Sequence, residues 1–456
     1  MRLTRTAALV GMAVVAAACS VSTPRNGFTE AGSGPQVVTG GRSSATTLAP
    51  GDSPASENGG EVTGSVPQTG SGSSGGGATR SGSGTATTIA GAGGPTVGVT
   101  DKTITISAMG GFTGQYGPIV DNIYETGFAV WVKDVNDHGG INGRQIISRK
   151  VDTKDTVEGG VAACKQIQTN GSYMALSIVG FGGADVASTD CLDKAGITTL
   201  AFNLSSFNDK WQHTYSAGDP FKVGVPLASF IKNVLGARDK VGVIYIQNDP
   251  VNRAARGGLL SGMKEIGMTP HHEEPVSTGQ GSFVAELQRM RASGATTVAL
   301  LVNGNEASGV LRDARAIQFT PKWTGLYWTA DDNSQSGAPL MQGIKAVRHW
   351  ASVDSPAYKA YLKKTEEQQK RGVINSSTLA LYGMGLITGR ILQNAGTSPT
   401  AASLGPAIES IVDYDDGIWH LSFGKGVRIA DIAVWPMECC HQDTTWRGTG
   451  PARTRF

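Results

Sequence analysis

The loop from Thr113 to Gly117 holds a threonine, a glutamine and a tyrosine within five residues. It follows a stretch at 104–109 in which apolar residues alternate at first, and this pattern predicts a strand. In an open α/β sheet, ligands lie at the loops that leave the carboxyl ends of the strands. We therefore expect Thr113, Gln115 and Tyr116 to line a small-molecule cleft.

Polar residues and glycines follow the other predicted strands in the same way. The further candidate contacts are Gly183 and Ala184 after strand 174–179, Asn203 and Ser205 after strand 196–201, Asn248 and Asp249 after strand 240–246, Asn303, Asn305 and Glu306 after strand 296–302, and Tyr327 and Trp328 after residues 322–325. Backbone N–H groups at Gly183 and Ala184 could hold a carboxylate where the next helix starts. An ammonium group would need an acid, and Glu306, Asp249 and Asp331 remain open choices.

Aromatic residues near these loops would suit a ligand with apolar surface, through stacking or burial. They are Phe112, Phe181, Phe202, Tyr327, Trp328 and Trp350.

Dinucleotide binding and metal binding are less well supported by the sequence. The glycines at 180–183 lack the third glycine of a dinucleotide fingerprint, because Asp185 stands there. His271 and His272 are expected in a surface loop rather than a metal site. We expect no enzyme activity, no cofactor and no metal.

The chain alternates predicted strands and helices twice, once before residue 217 and again over 218–346. Alternation of this kind predicts parallel sheets with helices on both faces. The third section breaks the rhythm with three helices and a short strand pair. The helices are predicted at 355–370, 377–393 and 400–411, and the strands near 418–423 and 429–435. This section has too few strands for a lobe of its own, so we expect it to pack on the other two.

The first 95 residues predict export rather than a folded domain. Residues 1–19 have two arginines, an apolar run and small residues before Cys19, as in a secretory signal peptide. This ending is similar to the bacterial lipobox, in which the cysteine is lipidated, so we expect a lipid anchor on Cys19. Residues 20–95 are rich in Gly, Ser, Thr and Pro, and predict a disordered tether with a reach of about 50 Å.

Four further cysteines remain in a chain that is expected to be exported. Cys164 and Cys191 fall in two successive predicted helices, so a disulfide between them is feasible if the helices are neighbours. Cys439 and Cys440 could form a vicinal disulfide or stay free. They do not predict zinc, because His441 alone does not complete a ligand set.

The order of the motifs resembles one family of binding proteins. The chain reads GGFTGQYG and then a helix ending in KDVNDHGGINGR, and the similarity continues through VGFGGAD, GITTLAFNLSS, KVGVIYIQND, LRDARAIQF and TLALYGMGLITGRILQNAG. Together these resemble the branched-chain amino-acid (Leu/Ile/Val) solute-binding proteins of ABC importers, over nearly all of residues 98–436.

The resemblance implies an α/β fold of the type I periplasmic-binding-protein kind. Two doubly wound parallel-sheet lobes would be joined by a three-strand hinge that crosses near 217, 347 and 427. The implied boundaries are 96–217 with 348–426 for lobe 1, 218–347 with 427–445 for lobe 2, and 446–456 for a tail.

The resemblance also implies roles for the strand-exit residues. Tyr116 matches the cleft tyrosine of the family, Asn203 a position that binds through its backbone, and Ser205 a threonine hydroxyl. Ala184 stands where the family has a carboxylate-binding serine. In lobe 2, the loops at Asn248–Asp249 and Asn303–Glu306 lack the tyrosines of the family. Tyr327 and Trp328 lie near its ammonium-binding glutamate, and neither is acidic.

We therefore expect a lipid-anchored, monomeric binding protein on the outer face of the cell membrane. It would deliver a small solute, such as an amino acid, an amide or a related molecule, to an ABC permease. A ligand sensor that signals through a membrane partner is the alternative, and a secreted α/β enzyme is a third. The net charge of +2 offers no argument for nucleic-acid binding.

Overall fold

The computed structural model describes the chain from residue 96 onward, with short gaps. The described residues are 96–114, 116–179, 183–204, 206–326, 338–440, 446–454 and 456. The expected signal peptide, Cys19 and the tether lie outside them, as do Gln115, Ser205, Tyr327 and Trp328. No helix within the described ranges combines the length and the apolar character that a membrane crossing requires.

The first lobe is built on a five-stranded parallel sheet, as the βαβ alternation predicts. Its strands are β1 (Thr103–Gly110), β2 (Gln145–Asp152), β3 (Met174–Val179), β4 (Thr199–Ala201) and β5 (Thr214–Ser216). They lie in the order β2-β1-β3-β4-β5, with Thr103 opposite Gln145 and Ala175 opposite Thr199. The side chains of β1 are almost all buried, as expected for a central strand covered on both faces.

Seven helices and one π-helical turn belong to this lobe. They are α1 (Gly117–Ile123), the π turn (Tyr124–Phe128), α2 (Ala129–Asp137), α3 (Val157–Asn170), α4 (Ala184–Lys194) and, from the end of the chain, α10 (Pro356–Glu367), α11 (Ser376–Asn394) and α12 (Ala401–Glu409). The π turn lies between α1 and α2. It lies where Gly127 contacts α11 so closely that a Cβ atom there would overlap the carbonyl oxygen of Thr378.

The second lobe is built on a seven-stranded mixed sheet. Its strands are β6 (Val241–Ile246), β7 (His272–Val276), β8 (Thr297–Leu301), β9 (Lys322–Leu326), β10 (Lys345–Arg348), β14 (Trp435–Glu438) and β15 (Arg447–Gly448), in the order β15-β14-β10-β9-β8-β6-β7. The helices are α5 (Pro220–Asn233), α6 (Pro250–Glu265), α7 (Val284–Ala292), α8 (Gly304–Ala316) and α9 (Ala338–Met341). The five central and outer strands from β7 to β10 pair in parallel, whereas β14 and β15 pair antiparallel.

Two stretches of this lobe correct the sequence-based expectations. His272 lies in edge strand β7 rather than in a surface loop, because its run pairs with β6. Residues 446–456 are not a separate tail: Arg447 and Gly448 pair with β14, and Phe456 stacks edge-on against Phe230 at 5.1 Å. Both stretches are ordered by partners that lie far away in the sequence.

The chain crosses between the lobes three times. The first crossing follows β5 and the second follows β10, close to the predicted positions 217 and 347. A small antiparallel sheet of the first lobe consists of β11 (Tyr414–Asp415), β12 (His420–Ser422) and β13 (Asp431–Ile432). Because β13 still pairs with β12 in this sheet, the third crossing lies at 433–434 rather than near 427.

A disulfide ties α3 to α4 on one face of the first sheet. Cys164 and Cys191 are bonded, with their Cα atoms 6.1 Å apart, and Cys164 is fully buried. Close helix packing makes the bond possible, since a Cβ atom at Gly160 would overlap the carbonyl of Ala184. Cys439 and Cys440 at the end of β14 form a second, vicinal disulfide.

Candidate functional site

The loop after β1 is shaped by two carboxylates, one from the last residue of β2 and one from the loop that follows it. The backbone N–H of Thr113 donates to Asp152 Oδ1 at 3.2 Å, and its hydroxyl donates to the other oxygen. Burial alone would raise the pKa of Asp152, but the Thr113 hydroxyl and nearby backbone N–H groups hold it below its usual value. The carboxylate of Asp155 packs so closely on Gly111 and Gly114 that a side chain at either glycine would overlap it.

Tyr116 lies at the start of α1 and is half-buried. Its pKa is raised, first by burial and then by the negative charges of Glu306, Asp249 and Asp155. Asp155 belongs to the first lobe, whereas Glu306 and Asp249 belong to the second. The phenol therefore lies within electrostatic reach of acids on both lobes, and the loops of the two sheets face one cleft.

The predicted contacts after β3 form the N-terminus of α4. Gly183 has a φ of +78°, a left-handed conformation that favours glycine, and Ala184 begins the helix. The Ala184 side chain is 1% exposed, so it packs inward. Asp185, in the first turn, is 3% exposed and places a carboxylate where the helix carries its positive dipole end.

The loop after β6 uses its polar side chains to order the second lobe. Asp249 caps α6 by accepting from the N–H groups of Val251 at 2.7 Å and Asn252 at 3.3 Å. Asn248 accepts from the N–H of Thr278 at 3.1 Å. Both predicted site residues therefore have structural partners within the second lobe.

The first turn of α8, directly after β8, holds a buried acid of the candidate site. Glu306 is 8% exposed in the first turn of α8, and its Oε1 accepts from the N–H of Gly279 at 3.0 Å. Asn303 directly precedes the same helix without a side-chain capping bond and accepts from Nδ2 of Asn252 at 3.2 Å, whereas Asn305 is exposed. Asn252 is fully buried, and sequence reasoning missed it because a polar residue inside a helix carries no pattern of its own.

Two aromatic residues assigned to the ligand lie instead in a cluster at the hinge. Phe202 packs on His349, Trp350 and Trp419, at centroid distances of 6.2, 5.6 and 5.5 Å. Trp350 is 3% exposed, and Trp419 is fully buried and donates to the carbonyl of Ala380 at 2.9 Å. Phe202 and Trp350 therefore pack in a buried aromatic cluster beside the crossing after β10, which we call the hinge core.

Phe112 also differs from its predicted role. Its ring packs edge-on against Tyr124 at 5.8 Å, with the ammonium group of Lys150 5.4 Å from its centroid. The ring therefore covers the π turn and β2 rather than forming a free aromatic wall. Asn203 follows β4 and is half-buried, next to buried Phe202 and Leu204.

Taken together, the described wall offers a phenol, amide groups and carboxylates. Tyr116 contributes an aromatic face and a hydroxyl, and Glu306 and Asp249 contribute negative charge from the opposite lobe. Groups of this kind bind a small polar molecule through hydrogen bonds and charge.

Two relatives of known name match the folded part of the chain. An amino acid binding protein of Pseudomonas aeruginosa is 25% identical over 253 residues, which are 54% of this chain and 66% of that protein. Leu/Ile/Val-binding protein homolog 3 of Brucella melitensis is 21% identical over 349 residues, which are 73% of this chain and 91% of that protein.

Solved structures share the fold at lower identity. The fatty acid ABC transporter substrate-binding protein of Thermomonospora curvata superposes with a TM-score of 0.65 at 18% identity, covering 79% of this chain and 95% of its own. The solute binding protein of an ABC transporter of Rhodopseudomonas palustris HaA2, in complex with p-hydroxybenzoic acid, has a TM-score of 0.65 at 16% identity and covers 77% and 97%.

These likenesses agree with the arrangement of two lobes and three crossings. They confirm the expected type I periplasmic-binding fold and the resemblance to the Leu/Ile/Val-binding proteins. The family model named periplasmic binding protein matches residues 103–434, from the first residue of β1 to the third crossing. The chain belongs to the periplasmic binding protein family.

Proposed function

We propose that this protein is an extracytoplasmic substrate-binding protein that delivers a small solute to an ABC importer. The solute lies between the lobes, and its binding draws the lobes together by rotation at the three crossings. A membrane permease then recognises the closed form. The family membership and the ABC transporter proteins that share the fold support this function.

The observation that carries the proposal is the charge relation across the cleft. Glu306 and Asp249 act on the pKa of Tyr116, although they lie on a different sheet. A ligand that contacts Tyr116 and either acid bridges the two lobes. Bridging of this kind favours the closed form, because the ligand gains its second set of contacts only on closure.

The solute is a small organic molecule of the size of an amino acid or an aromatic acid. The related proteins are named for amino acids, and proteins of the same fold are described with a fatty acid or p-hydroxybenzoic acid. In this chain, Thr113, Tyr116, Glu306 and Asp249 are the described residues assigned to ligand contact. Gln115, Ser205, Tyr327 and Trp328 complete the proposed set from the sequence.

Attachment to the membrane accounts for the N-terminal sequence. We assign Cys19 as the lipidated residue and residues 20–95 as a flexible spacer that lets the binding lobes reach the permease. The protein acts as a monomer in this scheme, because one cleft binds one solute and one closed form contacts the permease.

Ligand-induced closure tests the function directly. Purified protein is screened by thermal shift against amino acids, amides, alcohols, amines and carboxylic acids, and each hit is measured by small-angle X-ray scattering. We expect the radius of gyration to fall on binding and the bound molecule to be recovered unchanged. Chemical conversion of the molecule, or a radius that stays constant with every hit, would contradict a transport-binding role.

A further inference from the structure

We propose that the C-terminal segment is a strap that restrains the hinge, so that the two lobes lose less conformational entropy when they close on the solute. The strap consists of residues 446–454 and Phe456. It lies beyond the range 103–434 that the family model matches. The inference rests on the proposed function, because it concerns how easily the lobes close.

The strap begins in the second lobe. Trp446 is 2% exposed and belongs to the apolar core of that lobe. β15 follows directly and pairs with β14, and the N–H of Thr449 donates to the carbonyl of Pro436 at 2.9 Å. These contacts fix the start of the strap at the edge of the seven-stranded sheet.

The end of the strap is attached to α5, which also belongs to the second lobe. The N–H of Phe456 donates to Ser229 Oγ at 3.1 Å, and its main-chain oxygen accepts from Nδ2 of Asn233 at 2.6 Å. The ring of Phe456 packs edge-on against Phe230 at 5.1 Å, and Phe230 is 1% exposed. Hydrogen bonds and apolar contact together hold the two ends of the strap on one lobe.

Between these ends, the strap contacts the first-lobe side of the second crossing. The N–H of Gly448 donates to Ser352 Oγ at 3.1 Å and to Asp354 Oδ1 at 3.2 Å. Both acceptors lie between β10 and α10, and Ser352 is 4% exposed. These bonds connect the lobes without belonging to any of the three crossings. Rotation of one lobe against the other therefore moves the donor relative to its acceptors.

The strap also pairs with the third crossing. Val434 and Arg453 exchange two backbone hydrogen bonds, each 2.8 Å long, and Val434 is fully buried. The first crossing is joined to the segment that leads into the third, because the N–H of Ser216 donates to the carbonyl of Arg428 at 2.8 Å. The strap therefore contacts the second and third crossings directly and reaches the first through the third.

A segment that is paired beside the crossings limits the orientations that the lobes can take. A hinge moves through changes of φ and ψ at a few residues. Backbone groups that are paired with a strap resist such changes, because they would lose their hydrogen-bond partners. Closure on a ligand costs the conformational entropy that the lobes lose, and a hinge that is already restrained has less to lose. The strap should therefore raise the affinity for the solute.

Two variants detach the end of the strap. A chain that ends at Gly448 keeps Trp446 and β15, so the core of the second lobe is retained. Phe456→Ala removes only the ring that packs on Phe230, and it replaces the shortened chain if that chain folds poorly. Phe456→Tyr keeps the ring and is the matched control.

Hydrogen–deuterium exchange at the first crossing is the decisive measurement. The N–H groups of Ser216 and Ala217 donate to the carbonyls of Arg428 and Ala201, which lie outside the strap. Loss of a purely local contact would leave the exchange of these two amides unchanged, whereas a looser hinge would open their hydrogen bonds more often. The central amides of β1 report on unfolding of the first lobe and should exchange as in wild type.

We expect both detached variants to exchange at least about fivefold faster than wild type at Ser216 and Ala217. The best binder from the thermal-shift screen should bind them about three- to tenfold more weakly, and Phe456→Tyr should match wild type in both measurements. Unchanged exchange at the first crossing, or an affinity that is equal or stronger in the folded variants, would overturn the inference while the binding function stands. If no molecule in the screen binds, the proposed function fails, and the exchange rates still decide whether the strap restrains the hinge.

Discussion

Tyr116 in the first lobe and Glu306 in the second lie within electrostatic reach of each other across the cleft. Burial of the phenol is the largest cause of its raised pKa, and the charge of Glu306 is the next. Tyr116 lies in the loop after β1, and Glu306 lies in the first turn of α8, which follows β8 on the other sheet. The electrostatic effect of Glu306 on Tyr116 places both residues at one cleft, which neither residue indicates by itself.

Removal of the Glu306 charge should lower the pKa of Tyr116. A nearby negative charge disfavours the phenolate, so in Glu306→Gln the phenol should titrate at a lower pH than in wild type. The titration can be followed by NMR with carbon-labelled tyrosine, with Tyr116→Phe used to assign the signal. Glu366→Gln, which removes an exposed acid of α10, should leave the value unchanged, and an equal shift in both variants would show that the effect is not local.

The disulfide between α3 and α4 should stabilise the first lobe strongly. It closes a loop with a sequence separation of 27 residues, and cross-linking a loop of that length is worth about 3 to 4 kcal/mol in the chain-entropy model. The double variant Cys164→Ala/Cys191→Ala should lose that amount in urea unfolding. Wild type treated with a reductant should fall to a similar midpoint, and a loss below about 1 kcal/mol would contradict the assignment.

His349 should make the protein less stable in mild acid. Complete burial, and then the positive charge of Arg348, lowers its pKa from 6.5 to about 3. The unfolded state therefore binds more protons between these values, and the free energy of unfolding falls as the pH drops below about 6.5. His349→Phe keeps an aromatic ring in the hinge cluster and should flatten this decline.

The window for that comparison lies between pH 6.5 and about 4.5. Below it, protonation of acids with lowered pKa values, such as Glu274 and Asp313, adds to the loss of stability. Urea midpoints of wild type and His349→Phe, measured at several pH values in this window, should change relative to each other in favour of the variant as the pH falls. Parallel curves would mean that another group carries the dependence.

Local periodicity explains why much of the fold can be predicted from the sequence. The strand expected at 240–246 is β6 at Val241–Ile246, and the helix expected at 377–393 is α11 at Ser376–Asn394. Phe128 and Trp131 lie three residues apart, as on one face of a helix, and are 0% and 2% exposed. In each case, neighbouring residues carry the signal.

Pairing between strands that are separated by a loop could not be predicted in this way. Arg447 and Gly448 carry no strand pattern, and they extend because Glu438 and Met437 of β14 present an edge to them. The same limitation applies to β7, whose pairing with β6 overrides the loop expected from its histidines and acids.

In the candidate site, too, some features follow from the local sequence and others depend on tertiary packing. The position of Glu306 after a predicted strand follows from the sequence, but its burial and its contact with Gly279 depend on packing. Phe202 and Trp350 lie close to strand ends, as expected, yet they meet in the hinge core because the crossings bring them together. Tertiary packing therefore decides whether an aromatic residue at a strand end lines the cleft or packs at the hinge.

Binding of a small solute through Tyr116 is the central claim, and the affinity of Tyr116→Ala tests it most directly. The side chain makes no capping hydrogen bond to α1, so its removal should leave the lobe folded. For the best binder, calorimetry should show an affinity at least several-fold weaker than wild type, as loss of an aromatic contact predicts, and Phe221→Ala, at an exposed aromatic of the second lobe, should bind normally. An unchanged affinity in folded Tyr116→Ala would contradict the placement of the cleft.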